Sequence, residues 1–556
     1  MTSRTMKTIC SVPANRKDKQ YKQSRPLTWL FKFAGMALVV SGVLGGVFAR
    51  DHSVSAENEA AELMSDVRDA KSYWQELYKL DVSHFSEIVK ENYIYAVYTA
   101  DENWNSLYRS AVDQAYLDAS LVKDLNSYQA VMRRLIAQFE DAHLSVTFLA
   151  HSNSARWPGF LVRYQGGRYI VVKSSRTDIP EGSEIVSCDN RSINDWVDQL
   201  ARFWGGPQGL DTTRAHIGPE VFIDRDSPFY ERPKVCKTGD SVVELHWRDV
   251  VVTKKGKFPT DLDELEAQYP HYSDHHTGLS SFGENGAWVR MARMYVENED
   301  QAEAWHKIID AASGLRDKDF VVIDVRGNSG GTYNWFMAFL RSFYGDDYID
   351  YYARARLVIE NVLLAPEGAK GSGMEAPPET SNIKMPVDPP MADIMEKPTV
   401  ETLETGARLI RLRKPIDSMP PLPDEKPISP VSARVYVLTD YGCASACLSF
   451  LDEIMRIPGV IQIGGESHID RRSAGWPSKY HLASGLAYVN MGRLVRVGRA
   501  RGENAVWRPH YRFSGNLGDT EAVKKWILTE VIPDDFHRER PEVHNQPVTS
   551  KLNKGE

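Results

Sequence analysis

The sequence has no excess of positive charge and little cysteine. Its 556 residues contain 67 Lys and Arg against 75 Asp and Glu, a net charge of −8, and no basic stripe occurs in the body of the chain. Nucleic-acid binding, which relies on clustered Lys and Arg, is therefore not indicated. Only five cysteines are present. Cys10 lies in the N-terminal leader, and Cys188–Cys236 is one disulfide option, although sequence alone does not fix the pairing.

A recognisable metal site is also missing. His271, Asp274, His275 and His276 stand close together but match none of the common zinc-ligand spacings. The segment is more typical of a polar loop. We therefore expect neither a metal ion nor another cofactor.

The one basic stretch lies at the N-terminus, before an apolar run. Eight Lys and Arg precede residues 33–49, and small residues follow at Ala49 and Ala56. This order is typical of an export signal. The run is also just long enough for an uncleaved membrane anchor, so both alternatives stay open. In either case the positive-inside rule predicts that the remainder is exported, to the periplasm or another extracytoplasmic space.

An apolar strand, a glycine turn and a helix follow one another over residues 436–455. The turn contains Gly442, and apolar residues at spacings of three and four then mark one face of the helix. Ser445 stands in the first turn, where backbone N–H groups and the helix dipole favour negative charge. It is therefore either a capping serine or a nucleophile. Cys443 and Cys447 flank it, and we expect them to be small packing residues.

A second segment, residues 317–331, favours the nucleophile. Its apolar run predicts a buried strand, and the string Asp-Val-Arg-Gly-Asn-Ser-Gly-Gly predicts a glycine-rich turn after it. Together with the small residues around Ser445, this string resembles the serine peptidases that include the C-terminal processing (tail-specific) proteases and the tricorn core protease. The resemblance implies that Ser445 attacks the substrate. It also implies that the N–H groups of Gly330, Gly331 and Ala446 form the oxyanion hole.

The general base is expected to be a histidine. The tail-specific branch uses a lysine where this chain has Asp470, and no lysine occurs between Ser445 and Lys479. The tricorn-like branch instead has a histidine at the end of an N-terminal helical region. Residues 129–143 match that place, with a helical pattern that ends just before His143. The resemblance therefore makes His143 the candidate base.

An acidic residue is expected to support the base. The tricorn-like branch carries it in a Glu-x-x-Gly-Val-x-Pro-Asp segment, and Glu503 falls in the matching place. The match is partial, because His510 replaces the aspartate and Ala142 replaces a serine that precedes the histidine. A solvated loop glutamate is the alternative interpretation of Glu503. His468 and Glu466, which follow Ser445 closely, are the alternative base and orienting residue.

The patterns predict an α+β, multidomain protein. A hairpin and a strand–turn–helix unit after residue 158 resemble a PDZ-like, β-rich module, in which Gly159 and Phe160 would bind a substrate carboxylate. A plain β-rich connector is the alternative.

The catalytic core is expected to consist of ββα units of the crotonase and Clp type. A Pro-rich insertion with little apolar periodicity is expected to be extended or mobile. The predicted segments are the leader (1–56), the N-terminal helical region with the base (57–150), the PDZ-like module (151–255), the first core part (280–365), the Pro-rich insertion (366–430), the second core part with the nucleophile (431–535) and a polar tail (536–556).

The sequence therefore predicts an exported serine endopeptidase that acts on a peptide or protein substrate. Ser445 is the expected nucleophile, His143 the base and Glu503 the supporting acid. The alternative is a non-catalytic peptide-binding protein that kept the fold. Ala142 and His510, which replace the family's serine and aspartate, are consistent with that alternative. No pattern in the sequence indicates the oligomeric state.

Overall fold

The computed structural model describes most of the chain after the leader. The described residues are 56–98, 102–150, 154–239, 241–251, 276–357, 360–365, 399–403, 406, 408–412, 425–471, 473–474, 478–497, 499 and 501–537. Two compact units divide the chain, Met1–Arg68 and Asp69–Glu556, and every site considered below lies in the second. None of the described helices has the length and apolarity that a bilayer span requires. The apolar run at 33–49, most of the polar tail and the loop at His271 and His275 lie outside the described residues.

The N-terminal region is helical, as predicted. Its helices enclose aromatic side chains that are fully buried, among them Tyr78, Phe85 and Phe139. The last helix begins at a capping box, in which the Asp124 carboxylate accepts the Ser127 amide at 2.8 Å. The elements are α1 (Ala56–Asn92), α2 (Ile94–Tyr98), α3 (Glu102–Asp118), a 3₁₀ turn (Ala119–Leu121), α4 (Leu125–Ala137) and strand β1 (Leu144–Phe148). His143 therefore lies in the short connection between α4 and β1.

A β-rich segment follows. The predicted hairpin is present, with Gly166 and Gly167 at its turn in positive-φ conformations of 55° and 100°. The predicted strand–turn–helix unit is present too, and its turn residues Asp189 and Asn190 also have positive φ. The elements are β2 (Ser154–Trp157), β3 (Phe160–Gln165), β4 (Arg168–Ser174), β5 (Ile185–Cys188), β6 (Arg191–Ser192), α5 (Ile193–Trp204), α6 (Asp211–Ile217), a 3₁₀ turn (Gly218–Phe222), β7 (Val235–Thr238), β8 (Ser241–Glu244) and β9 (Arg248–Val251).

The remaining elements form the core that carries the two sequence motifs. In chain order they are β10 (Gly278–Phe282), β11 (Gly286–Arg290), α7 (Glu299–Ala311), a 3₁₀ turn (Ala312–Leu315), β12 (Phe320–Asp324), α8 (Asn334–Tyr344), α9 (Asp346–Leu357), β13 (Glu360–Ala365), β14 (Thr399–Thr402), β15 (Arg408–Leu412), β16 (Arg434–Thr439), α10 (Ala446–Ile454), β17 (Val460–Gly464), β18 (Ser473–Ala474), β19 (Ser478–His481), β20 (Ala487–Met491), β21 (Leu494–Val497), β22 (Tyr511–Arg512), α11 (Thr520–Trp526), a π-helical turn (Ile527–Val531) and α12 (Ile532–Phe536).

A six-stranded sheet of order β10-β11-β12-β16-β17-β22 is the centre of this core. Pairing is parallel from β11 to β22. All five residues of β11, β12 and β17 are buried, as the continuous apolar runs predict for strands covered on both faces. Because β12 and β16 are parallel neighbours, their carboxyl ends lie at the same edge of the sheet. The glycine-rich turn after β12 therefore meets the Ser445 turn after β16.

Two smaller sheets complete the core. Strand β1 pairs with β20 in the order β1-β20-β19, which docks the end of the helical region onto the second core part. The other sheet has the order β14-β15-β13-β21-β18. Its strands β14 and β15 lie in the segment expected to be extended or mobile, and these residues are extended and paired in a sheet. Leu409 and Ile410 are buried there because β13 supplies a partner that local sequence does not reveal.

Candidate active site

Ser445 stands at a strained turn immediately before α10. Its backbone has φ 54° and ψ −115°, a conformation that costs a non-glycine residue about 1–3 kcal/mol. Its side chain makes no capping hydrogen bond to the helix, so the capping interpretation is wrong. The residue is only partly buried. The turn thus holds an uncommitted hydroxyl at the N-terminus of a helix.

Buried polar groups hold this turn against the glycine-rich turn after β12. The Asp440 carboxylate accepts the Gly327 amide at 2.8 Å and the Gly442 amide at 2.9 Å. Burial raises the pKa of Asp440 above its usual value. The Ala444 amide donates to the carbonyl of Asn328 at 3.1 Å. These contacts join both motifs into one rigid corner.

The first motif carries its own buried ion pair. Arg326 donates to Asp324 through Nε at 2.9 Å and through Nη2 at 2.8 Å, and both side chains are fully buried. Burial alone would raise the pKa of Asp324, but Arg326 and Arg290 bring it below its usual value. The paired charges therefore remain ionised and fix the start of the turn.

Gly330 and Gly331 leave no space for a side chain. Gly330 has φ 101°, and a Cβ there would lie 2.7 Å from the Ala446 nitrogen and 2.8 Å from Ser445 Cβ. Gly331 has φ 136°, and its Cβ would lie 2.1 Å from the Met294 carbonyl carbon. Glycine is required at both positions, because the backbone packs directly against the Ser445 turn and the segment after β11.

The three expected oxyanion donors are not equivalent. The Gly330 N–H donates to Asn328 Oδ1 at 2.9 Å and is therefore occupied. The Ala446 N–H, at the first helical position of α10, is one of the amides that a helix leaves without an internal partner. The Gly330 amide is thus occupied, whereas the Ala446 and Gly331 amides make no backbone hydrogen bond within the described residues.

His143 is held by a buried carboxylate and a serine. Its amide donates to Asp141 Oδ1 at 2.8 Å, and its ring Nδ1 lies 3.8 Å from the same oxygen. Ser473 Oγ lies 3.5 Å from Nδ1 and donates to Asp141 at 2.8 Å. The ring is partly exposed, whereas the carboxylate is fully buried. Within the described part of the chain, no hydrogen bond joins His143 to Ser445.

Asp141 has a role that the sequence analysis did not assign. Besides the His143 amide and Ser473, its carboxylate accepts the Tyr93 hydroxyl at 2.5 Å. Burial, with Asp141 next, raises the pKa of Tyr93 well above its usual value, so the phenol remains a donor. An aspartate two residues before a histidine is the one local signal for this turn. Its partners Tyr93 and Ser473 are too distant in sequence to be recognised.

Glu503 reaches the same network from the other side. It is half-buried and accepts the Tyr95 hydroxyl at 3.0 Å, so the solvated-loop interpretation is wrong. The Tyr95 hydroxyl in turn accepts the Ser473 amide at 3.2 Å. Glu503 therefore connects to His143 through Tyr95 and Ser473, and the structure shows no direct hydrogen bond between the two residues within its described ranges.

The alternative pair, His468 and Glu466, is arranged differently. Glu466 accepts the Asp211 amide at 2.9 Å and Arg508 Nε at 2.8 Å. Burial and then Asp211 raise its pKa. His468 Nδ1 contacts its neighbouring carbonyl at Ile469, 2.6 Å away. Glu466 thus anchors the start of α6 and does not orient His468, although the His468 amide donates to the carbonyl of Cys443 at 3.1 Å, close to Ser445.

All four described cysteines are paired. The Cys188–Cys236 option is confirmed, since this disulfide joins β5 to β7. Cys443 and Cys447 also form a disulfide, with a Cα–Cα distance of 5.3 Å. The expectation that they are separate packing residues is therefore wrong. The turn around Ser445 brings the two side chains together inside the core, where both are fully buried.

A cavity of about 530 Å³ lies between the His143 connection and the His468 loop. Asp141 and Ala142 line one side, and His468 and Ile469 line another. Thr212 also lines it, and its buried hydroxyl has no hydrogen-bond partner among the described residues. That hydroxyl has almost no exposed surface, so a bound molecule would reach it only after a movement of the cavity wall.

The residues expected to bind a substrate carboxylate lie at the start of β3. Phe160 is fully buried and packs on Phe222 with ring centroids 5.0 Å apart, so its side chain is not available to a ligand. Gly159 has φ 92°, and a Cβ there would lie 2.5 Å from Arg248 Nη2. The side chain of His510, where the family has an aspartate, is exposed, and partial desolvation lowers its pKa.

Comparison with known proteins finds a family similarity in the core. Residues 285–488 match the family model described as peptidase family S41. This stretch contains both motif glycines and Ser445, whereas His143 and Glu503 lie outside it. A search of curated proteins found no match. Over these residues the chain is similar to peptidase family S41, a family of serine peptidases.

Solved structures support the same fold. A crystal structure of a CPAF mutant is 14% identical, with a TM-score of 0.50, and the match covers 84% of this chain and all of that one. Mature CPAF is 14% identical, with a TM-score of 0.48 and coverage of 83% and 99%. The photosystem II D1 C-terminal processing protease is 12% identical, with a TM-score of 0.30 and coverage of 82% and 98%. At 14% identity and a TM-score of 0.50, the CPAF mutant shows a likeness of fold alone. The predicted α+β class is confirmed by the helices and sheets of this chain.

Proposed function

We propose that this protein is an exported endopeptidase that cleaves peptide or protein substrates through Ser445 and His143. The observation that carries the proposal is the Ser445 turn. It combines a strained backbone, a hydroxyl not used for capping and a neighbouring open amide at Ala446. A turn of this kind presents a nucleophile, whereas a structural serine has no need of the strain.

The proposed reaction begins when Ser445 Oγ attacks the scissile carbonyl. His143 takes the hydroxyl proton through Nε2 and then gives it to the leaving amine. The Ala446 and Gly331 N–H groups stabilise the oxyanion, each worth about 3–4 kcal/mol of the barrier. Water then hydrolyses the acyl-enzyme by the same steps in reverse.

The network behind His143 sets the ring for this role. Because Ser473 Oγ donates to Asp141, its lone pair is available to accept from His143 Nδ1–H. That tautomer leaves Nε2 unprotonated and basic. Glu503 supports the arrangement through Tyr95, whose pKa is raised by burial and then by Glu503, so that its hydroxyl stays a donor. Hydrogen bonds between base and nucleophile are often long in the free enzyme and tighten when substrate binds, so the missing bond does not rule out His143.

Substrate binding is proposed at two places. The cavity beside Asp141 and His468 would hold substrate side chains near the scissile bond. The β3 edge in the PDZ-like module would add a substrate strand and hold its terminal carboxylate. Backbone amides at Gly159 and Phe160, with Arg248 beside them, supply that loop.

Export is part of the proposal. The basic leader followed by an apolar run supports it. The two disulfides support it as well, because disulfides persist mainly in oxidising compartments.

Casein or peptide hydrolysis by the purified protein tests the proposal. Ser445→Ala should abolish turnover without lowering thermal stability, because the hydroxyl caps nothing. The matched control is Ser192→Ala, which removes a capping serine of α5 that accepts the Asp195 amide at 3.1 Å. It should lose about 0.5–2 kcal/mol of stability and keep its turnover. Undiminished turnover in folded Ser445→Ala, or no turnover in any form, would favour the non-catalytic peptide-binding alternative.

A further inference from the structure

A disulfide encloses the nucleophile. Cys443 and Cys447 are bonded across a separation of four residues, and Ser445 stands midway between them. Both cysteines are fully buried and belong to the apolar core around α8 and α10. The second disulfide, Cys188–Cys236, lies in the β-rich segment. The two bonds therefore provide a comparison between a crosslink at the nucleophile and one elsewhere.

The Ser445 turn needs an external restraint. A non-glycine residue at φ 54° and ψ −115° relaxes toward negative φ unless its surroundings prevent it. Two backbone hydrogen bonds join the turn to the start of α10. The Cys447 amide donates to Ala444 at 3.0 Å, and the Ser449 amide donates to Ser445 at 3.1 Å. Both bonds lie within the turn and the helix, so they do not fix the turn relative to the strand before it.

Cys443 adds to the connection that the Ala444 amide makes with the carbonyl of Asn328. Its amide donates to the Asp440 carbonyl at 3.2 Å, and its own carbonyl accepts the His468 amide at 3.1 Å. The Asp440 side chain is in turn bonded to the glycine-rich turn through the Gly327 amide. Cys443 is therefore anchored on the strand side, and Cys447 is anchored in the first turn of α10.

We propose that the Cys443–Cys447 disulfide is a positioning element that holds Ser445 in its reactive conformation. With both ends of the turn fixed, the three residues between them have no freedom to relax. Without the bond, the Ser445 hydroxyl and the Ala446 amide would shift together, because they belong to the same turn. The oxidised protein is then the competent peptidase. This inference rests on the proposed function of Ser445.

Paired substitutions test the inference. Cys443→Ser with Cys447→Ser keeps the size of both side chains and removes the bond. Cys188→Ser with Cys236→Ser is the matched control. For the first pair we expect kcat and the rate of fluorophosphonate labelling to fall at least about tenfold, with KM within about twofold of wild type. The control pair should lose thermal stability but label at the wild-type rate. A folded first pair with wild-type labelling and kcat would overturn the inference.

A measurement on the wild-type protein is independent of how the variants fold. Dithiothreitol passes two electrons and two protons to the Cys443–Cys447 bond, which yields two thiols and the cyclic disulfide of the reagent. Aliquots are labelled with the fluorophosphonate first and then alkylated, so that peptide mass mapping reports which cysteines were free. Labelling should fall as thiols appear at Cys443 and Cys447, and it should return on reoxidation.

Two results on the wild-type protein contradict the inference and separate it from the proposed function. Wild-type labelling of protein in which Cys443 and Cys447 are free thiols would overturn the positioning role alone. No labelling of untreated wild-type protein, with Ser445→Ala as the blank, would overturn the proposed function and this inference with it.

Discussion

Replacing Gly330 by alanine should separate the two turns that build the site. The new Cβ would lie 2.7 Å from the Ala446 nitrogen and 2.8 Å from both the Ala444 oxygen and Ser445 Cβ. Two of these three atoms belong to the backbone, so the clash cannot be relieved by a side-chain rotation. The Ser445 turn must move away from the glycine-rich turn.

The magnitude has two parts. Alanine at φ 101° is strained by about 1–3 kcal/mol, and overpacking adds about 1–3 kcal/mol more. Gly167→Ala is the matched control, because Gly167 has φ 100° and nothing within 4 Å of its Cβ position. It should show the backbone strain alone. The difference between the two variants therefore isolates the clash at about 1–3 kcal/mol.

Urea denaturation and peptide turnover, measured on both variants, decide the matter. Gly330→Ala should be the less stable protein and should lose about 100-fold in turnover, as expected for a displacement on the order of 1 Å at a nucleophile. Gly167→Ala should keep its turnover. Equal stability of the two variants to within about 0.5 kcal/mol, together with unchanged turnover in Gly330→Ala, would refute the close packing of the two turns.

Three further predictions follow from the network around His143. Asp141→Asn should lower kcat more than it raises KM, because it weakens the acceptor of Ser473 and Tyr93 that orients the His143 ring. The control is Asp81→Asn, which alters a buried carboxylate that accepts the Tyr128 hydroxyl; it should lose comparable stability, about 1.5–3 kcal/mol, and keep its kcat. Equal kcat in both variants would contradict the role of Asp141. His143→Ala should reduce turnover about as far as Ser445→Ala, and Lys479→Ala should have little effect. An inactive Lys479→Ala variant would make Lys479 the base. An inactive His468→Ala variant together with an active His143→Ala variant would make His468 the base. Burial alone would raise the pKa of Asp470, but Arg501 and Arg499 lower it from 3.8 to about 2. The ionised Asp470 therefore stabilises the folded protein above pH 3.8, and this contribution is lost as the pH falls toward 2. In urea titrations the stability advantage of wild type over Asp470→Asn should therefore shrink by about 2 kcal/mol across that interval, and a constant advantage would contradict the depressed pKa.

The parts of the site that were predictable are those encoded in short segments. The apolar run before the glycine-rich turn and the one before Ser445 each predict a buried strand. Both turns contain glycines, which are typical of tight connections. Both strands are present, and His143 lies between a helix and a strand as the local periodicity indicated. Such features depend on neighbours within a few residues, so a single sequence carries them.

The parts that were not predictable depend on distant partners. Asp141 acquires its role from Tyr93 and Ser473, which are separated from it by 48 and 332 residues. The Gly330 amide is engaged because the Asn328 side chain accepts a hydrogen bond from it, and this side-chain conformation is not encoded in a local pattern. The bond between Cys443 and Cys447 depends on the path of the turn between them, since a spacing of four residues fits an unpaired arrangement equally well.

Labelling with a fluorophosphonate tests the central claim most directly, because the probe bonds only to an activated serine. The purified protein should gain one label, and peptide mapping should place it on Ser445. Ser445→Ala should gain none, and His143→Ala should react much more slowly because its serine has lost the base. A wild-type protein that stays unlabelled while folded, or a label that persists in Ser445→Ala, would contradict the account.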